Sequence, residues 1–105
     1  MKVLTAKELS NKIANKDDFL ILDVREPNEF QYASIKPSIL IPLNQIPERL
    51  NELDAQQQIV VVCHHGIRSQ KAAHYLIHSG FQHVYNLQGG IDAWSCECDN
   101  SVPRY

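Results

Sequence analysis

Cys63-His64-His65-Gly66-Ile67-Arg68-Ser69 places a thiol, two imidazoles, a guanidinium and a hydroxyl around one glycine. The segment follows the apolar run Ile59-Val60-Val61-Val62 and precedes a helical pattern beginning near Arg68. This order predicts a thiol at the end of a buried strand, with a short loop leading into a helix N-terminus. A helix start offers unpaired N–H groups and a partial positive charge, and both favour a thiolate over a thiol. The same donors can hold an anion. Gly66 permits backbone angles that turn successive N–H groups toward one point. Arg68 adds a permanent cation with a planar donor fork. A cysteine ending a strand is more often an inert core residue; Gly66 and Arg68 shift that balance toward a nucleophile facing a small anion.

The neighbouring groups carry weaker signals. His64 and His65 read as solvated loop side chains, at least one of them, or as an imidazolium that favours the Cys63 thiolate or contacts substrate. Adjacent histidines are poorly spaced for one tetrahedral ion and no C-x2-C knuckle accompanies them, so no metal site is expected. Asp23, Arg25 and Glu29 read as an ion-pair network that fixes a loop. Asp23 could serve as a general acid only if it lay near Cys63. Cys96 and Cys98 read as incidental thiols rather than as a resolving partner for Cys63, and C-x-C spacing is awkward for a mutual disulfide. Trp94 reads as an anchor for a final helix.

The elements that would position these residues follow from capping and periodicity. Thr5-Ala6-Lys7-Glu8 is a capping box, followed by Leu9 and Ile13 on one helical stripe. Phe19-Leu20-Ile21-Leu22 predicts a buried strand ending at Asp23. Residues 25–30 predict a turn into a short helix, and Ile39-Leu40-Ile41 a small strand between Pro37 and Pro42. Leu43, Ile46 and Leu50 have helical spacing. Residues 59–62 form the strand best supported by β-branching. Residues 69–79 predict a helix through Ala72, Ala73, Leu76 and Ile77, with Gly80 as its C-terminal stop. Phe81, Val84 and Tyr85 suggest a last strand. Gly89-Gly90 is a turn before a final short helix over 91–94, and residues 95–105 form a tail without periodicity. Short apolar strands alternating with helices predict a parallel sheet covered on both faces. Ligands in such sheets bind beyond the carboxyl ends of the strands, where Cys63 falls.

The chain has 105 residues, 44% of them hydrophobic, which fits a single domain over 1–105 with its core at about 5–94. A net charge of -2 argues against nucleic acid or an acidic membrane as the main partner. The start Met1-Lys2-Val3-Leu4-Thr5 is too polar for the apolar core of a signal peptide, and no run approaches transmembrane length. The cysteines are odd in number and lack a disulfide-scaffold pattern, which suits a reducing cytoplasm.

Taken together, these residues resemble the rhodanese family of sulfurtransferases. The resemblance rests on Leu22-Asp23-Val24-Arg25 with Glu29-Phe30, on Ile39-Leu40-Ile41-Pro42, on residues 63–69, and on Gly89-Gly90-Ile91-Asp92-Ala93-Trp94. It covers the chain from Thr5 to Trp94 in the family order. It implies an α/β, rhodanese-like three-layer domain with a central parallel sheet flanked by helices. It implies that Cys63 takes a sulfane sulfur from a donor such as thiosulfate and becomes a persulfide. The sulfur then passes to cyanide, a dithiol or a protein thiol such as that of a thioredoxin-like partner. His64, His65, Gly66, Ile67, Arg68 and Ser69 would bind the anionic donor, with Asp23, Arg25 and Glu29 supporting the loop and no cofactor required. Two segments depart from the family pattern: Ala33-Ser34-Ile35 stands where Gly-His-Ile is frequent, and Lys36-Pro37-Ser38 where Pro-Gly-Ala is common. Two alternatives remain open: a non-catalytic binding or regulatory module, and a phosphatase or arsenate reductase built on the same loop logic. The related phosphatases have a loop one residue longer, so the span from Cys63 to Arg68 favours sulfur over phosphate.

Overall fold

The computed structural model describes residues 2–105; Met1, the first residue of the polar start noted above, lies outside the described residues. Five strands form one sheet: β1 (Lys2–Leu4), β2 (Leu20–Asp23), β3 (Ile39–Leu40), β4 (Ile59–Val62) and β5 (Val84–Leu87). All pairs are parallel, in the order β1-β5-β4-β2-β3. The helices are α1 (Ala6–Ala14), α2 (Pro27–Tyr32), α3 (Ile46–Arg49), α4 (Ile67–His78) and α5 (Gly90–Glu97).

β4 explains why the layers form. Its side chains alternate between faces, as the two-residue period of a strand requires. Val60 and Val62 enter one core with Leu9, Ile21, Leu87, Ile91 and Trp94. Ile59, Val61 and Cys63 enter the other with Leu22, Ile46, Ala72, Ala73 and Leu76. A strand buried on both faces must be apolar throughout, which is why it reads as a continuous run. Burying each such side chain stabilises the fold by about 1.5–3 kcal/mol.

The helix ends follow the chemistry of their residues. Thr5 Oγ1 accepts from the Glu8 N–H at 3.1 Å, and the Thr5 N–H donates to Glu8 Oε1 at 2.9 Å, closing the expected capping box. Pro27 occupies the first turn of α2, where its missing N–H costs nothing. Gly66 precedes α4 at φ +112, and Gly80 follows it at φ +99.

Several boundaries differ from the sequence expectations. β1 was not anticipated: it is three residues long and buries only Leu4, too little pattern to register as a strand. The stretch with helical spacing at Leu43, Ile46 and Leu50 is broken into α3 and two flanking 3-10 turns, Leu43–Gln45 and Leu50–Glu52. The final helix extends past Trp94 to Glu97, so residues 95–97 are helical rather than part of the tail. The tail itself packs: Val102 is buried, and Ser95 Oγ donates to the Val102 carbonyl.

Candidate active site

The carboxyl ends of β2, β4 and β5 lie side by side. Asp23 pairs in register with Val62, and Val61 with Asn86. Cys63 follows at that edge, 1% exposed, with its sulfur at the base of the loop. The Gly66 N–H donates to Cys63 Sγ at 3.0 Å, and the thiol donates to Ser69 Oγ at 3.3 Å. The positive φ of Gly66 is what turns that amide back toward the sulfur. Ile67, Arg68 and Ser69 open α4, and their N–H groups have no carbonyl partner within the helix.

A second helix holds the loop from outside. The Ile91 N–H donates to the Cys63 carbonyl at 2.8 Å, and the Asp92 N–H to the His64 carbonyl at 3.2 Å. The free amides of α5 thus take the loop carbonyls, which leaves the loop amides facing the other way. Gly90 makes this approach possible: any Cβ there would overlap the Cys63 and His64 carbonyls.

The charged residues form one network. Asp23 and Arg25 are 1% and 0% exposed. Arg25 Nη2 meets Asp23 Oδ2 at 2.6 Å, and Arg25 Nε meets Asp23 Oδ1 at 2.9 Å. Arg25 also donates to the Ala33 carbonyl at 2.5 Å and to Tyr105 Oη at 2.8 Å. Burial alone would lower the Arg25 pKa; hydrogen bonds with Asp23 and Tyr105 outweigh it and raise it. The Asp23 carboxylate is occupied by this pair.

Arg68, which the sequence leaves free to face an anion, is engaged. Its Nη1 and Nη2 donate to Glu29 Oε1 and Oε2 at 2.7 and 2.9 Å, a two-pronged pair. The hydrogen bonds from Arg68 hold the Glu29 carboxyl at about 2, far below its ordinary value, against the opposing effect of burial. Arg68 is raised in turn, chiefly by Glu29.

The imidazoles separate in role. His65 is exposed; His64 is half-buried between the His65 ring and the Tyr105 ring, each with its centroid 3.9 Å away. Burial, then the charge of His65, pushes the His64 pKa down. Tyr105 also donates to Glu29 Oε2 at 2.8 Å, and Arg104 pairs with Asp92 at 2.9 Å. The tail therefore returns to the loop, a placement its sequence does not announce. Asn86 is the other unannounced residue. It sits behind the loop, on the same face of β5 as Val84, and its only sequence signal is its place in a strand pattern that asparagine disfavours.

Cys96 is exposed on α5, and Cys98 packs beside the core against Trp94 and its neighbours. Among the described residues, no three His, Cys, Asp or Glu side chains cluster as ligands for a metal ion, and no helix is long and apolar enough to cross a membrane.

An open parallel sheet with a cysteine loop at its carboxyl edge defines a class of protein, and comparison identifies it. The Rhodanese-like domain family matches residues 5–97, and this chain belongs to that family. It is 37% identical over 93 residues to the thiosulfate sulfurtransferase GlpE of Pseudoalteromonas translucida, covering 89% of each chain. It is 35% identical over 92 residues to a sulfurtransferase of Allochromatium vinosum, covering 88% of this chain and 86% of that one. The crystal structure of a rhodanese-like domain protein from Staphylococcus aureus superposes with a TM-score of 0.87 at 33% identity, covering 100% of this chain and 99% of that one.

Proposed function

We propose that the chain is a sulfurtransferase in which Cys63 carries the sulfur as a persulfide. The observation that carries this reading is the Cys63 sulfur set beneath the Gly66 amide at the open end of α4. The Cys63 thiolate attacks the outer sulfur of thiosulfate. A sulfur–sulfur bond forms to Cys63, the bond to the sulfonate sulfur breaks, and sulfite leaves with the electron pair. The persulfide is anionic, and inward amides stabilise it. An acceptor thiolate or cyanide then attacks the outer sulfur, and Cys63 leaves as the thiolate. No step needs a cofactor.

Glu29 offsets the charge of Arg68, so attraction for the donor anion rests first on the unpaired amides of Ile67, Arg68 and Ser69. Asp23, Arg25 and Glu29 hold Arg68 and the loop in place. The sulfur acceptor in this scheme is a small thiol or the cysteine of a partner protein in a reducing compartment.

The test is intact mass after incubation with thiosulfate, for wild type and Cys63→Ser. The wild type gains one sulfur atom, cyanide removes it, and the variant gains none. A gain of sulfur by the variant would overturn the assignment of Cys63. Brisk turnover of an aryl phosphate with no sulfur uptake would replace the reading with a phosphatase.

A further inference from the structure

Asn86 is 8% exposed, and its amide reaches two loop residues. Asn86 Nδ2 donates to the Gly66 carbonyl at 3.2 Å. Asn86 Oδ1 accepts from Ser69 Oγ at 2.5 Å. Gly66 and Ser69 are the two residues whose polar atoms meet the Cys63 sulfur. One side chain behind the loop therefore bonds both residues that touch the Cys63 sulfur, Ser69 through the same hydroxyl and Gly66 through the carbonyl that follows its amide.

Proton counting gives this arrangement a consequence. The Ser69 hydroxyl has one proton and two acceptors within reach, Asn86 Oδ1 and Cys63 Sγ. While Cys63 is a thiol, its S–H points at the Ser69 oxygen, and Ser69 gives its own proton to Asn86. When Cys63 ionises or carries sulfur, Sγ has no proton to give. The hydroxyl then turns to donate to the sulfur, a charge-assisted bond. Asn86 Oδ1 loses that partner, and a buried acceptor left unpaired carries a cost.

We propose that Asn86 is a positioning residue for Cys63: through Ser69 it opposes ionisation of the resting thiol, and through the Gly66 carbonyl it keeps the amide aimed at the sulfur. The inference deepens the sulfurtransferase reading, but its test reads the thiol itself and stands whether or not thiosulfate is the donor.

The experiment is the rate of iodoacetamide alkylation of Cys63 against pH, followed by peptide mass so that Cys96 and Cys98 do not interfere. The variants are Asn86→Ala, Asn86→Asp, Ser69→Ala and the Asn86→Ala/Ser69→Ala pair. Other ionisable groups around the loop are Arg68 on α4, Glu29 on α2, Asp92 on α5, His64, His65 and Tyr105; they are common to every variant. Asn86→Ala frees the Ser69 proton for the sulfur, so its profile moves to lower pH. Asn86→Asp holds that proton more tightly and adds a negative charge, so its profile moves to higher pH. Each shift is on the order of one pH unit, about tenfold in rate at a fixed pH below the midpoint. In the Ser69→Ala background, Asn86→Ala no longer moves the profile to lower pH. Equal shifts with and without Ser69, or an unmoved profile in Asn86→Ala, would overturn the proposal. If Asn86→Ala does not fold, the near-isosteric Asn86→Asp decides alone: a profile that stays or moves to lower pH refutes it.

Discussion

Glu29 joins three parts of the site: the start of α2, the start of α4 and the tail. Its carboxylate receives both Arg68 prongs and the Tyr105 hydroxyl, and its Oε1 also accepts from the Glu26 N–H at 3.0 Å. The carboxyl sits at about 2 in the fold against an ordinary 4.5, so the unfolded chain takes up its proton first as the pH falls. The stability from this group is complete above about 4.5 and is lost on descending toward 2. Glu29→Gln removes that acid-dependent component. At neutral pH the variant is less stable by about 1–2 kcal/mol, below the cost of breaking a fully buried pair because Arg68 is partly open to water. Urea melts of both proteins at pH 7 and at pH 3 check this: the gap between them narrows at the lower pH. An undiminished gap would mean that Glu29 does not ionise against Arg68 as the geometry requires. At this scale the loop from Cys63 to Ser69 between a buried strand and a helix start is legible, because its thiol, glycine and guanidinium are contiguous in the sequence. The sequence is not legible for Asn86, whose relation to Cys63 is set by the neighbouring positions of β4 and β5.

At the scale of the element, the contact between the start of α5 and the active loop decides the loop's shape. Carbonyls turned toward Ile91 and Asp92 fix which way the peptide planes between Cys63 and Gly66 face. Gly90→Ala forces those planes to move. The expected outcome is a folded protein, destabilised by about 1–3 kcal/mol through overpacking. Its Cys63 sulfur uptake slows by about 100-fold, since misplacement of about 1 Å costs that much. Gly80→Ala is the control: it also has a positive φ, but no atom lies within 4 Å of the added carbon. It pays a similar backbone cost without loss of sulfur uptake, and equal losses in both variants would show that general destabilisation is the cause. Strands β2 and β4 and helices α1 and α4 are legible because caps and two-faced burial leave dense signals. β1 is not, since an edge strand with one buried side chain carries no period; the stretch around α3 has helical spacing, but Pro47 lacks the N–H that a continuous helix would need there, so it breaks into short turns.

At the scale of the whole molecule, residues 98–105 close the chain back over its own site. Val102 fills the core beside Trp94, Arg104 pairs with Asp92, and Tyr105 stacks on His64. Single contacts spaced along an irregular segment leave no pattern in a sequence, which is why the tail reads as blank. Removal of residues 102–105 exposes the Val102 site and frees His64. Losing the Val102 burial alone costs about 1.5–3 kcal/mol. Differential scanning calorimetry should show the lower Tm, and alkylation of Cys63 should become faster as the loop loosens. An unchanged Tm would mean that the tail does not hold this position in solution.

The sheet order places β5 between β1 and β4, so β1 waits for β5. Cys63 leaves the ribosome ahead of Asn86, the amides of Ile91 and Asp92, and Tyr105. During that interval β1 has no strand beside it and the loop carbonyls have no partners. Domains mature as units during synthesis. Here that rule sets an order of events: the amides that fix the loop carbonyls belong to α5, so the loop takes its shape only after β5 and α5 have followed it out.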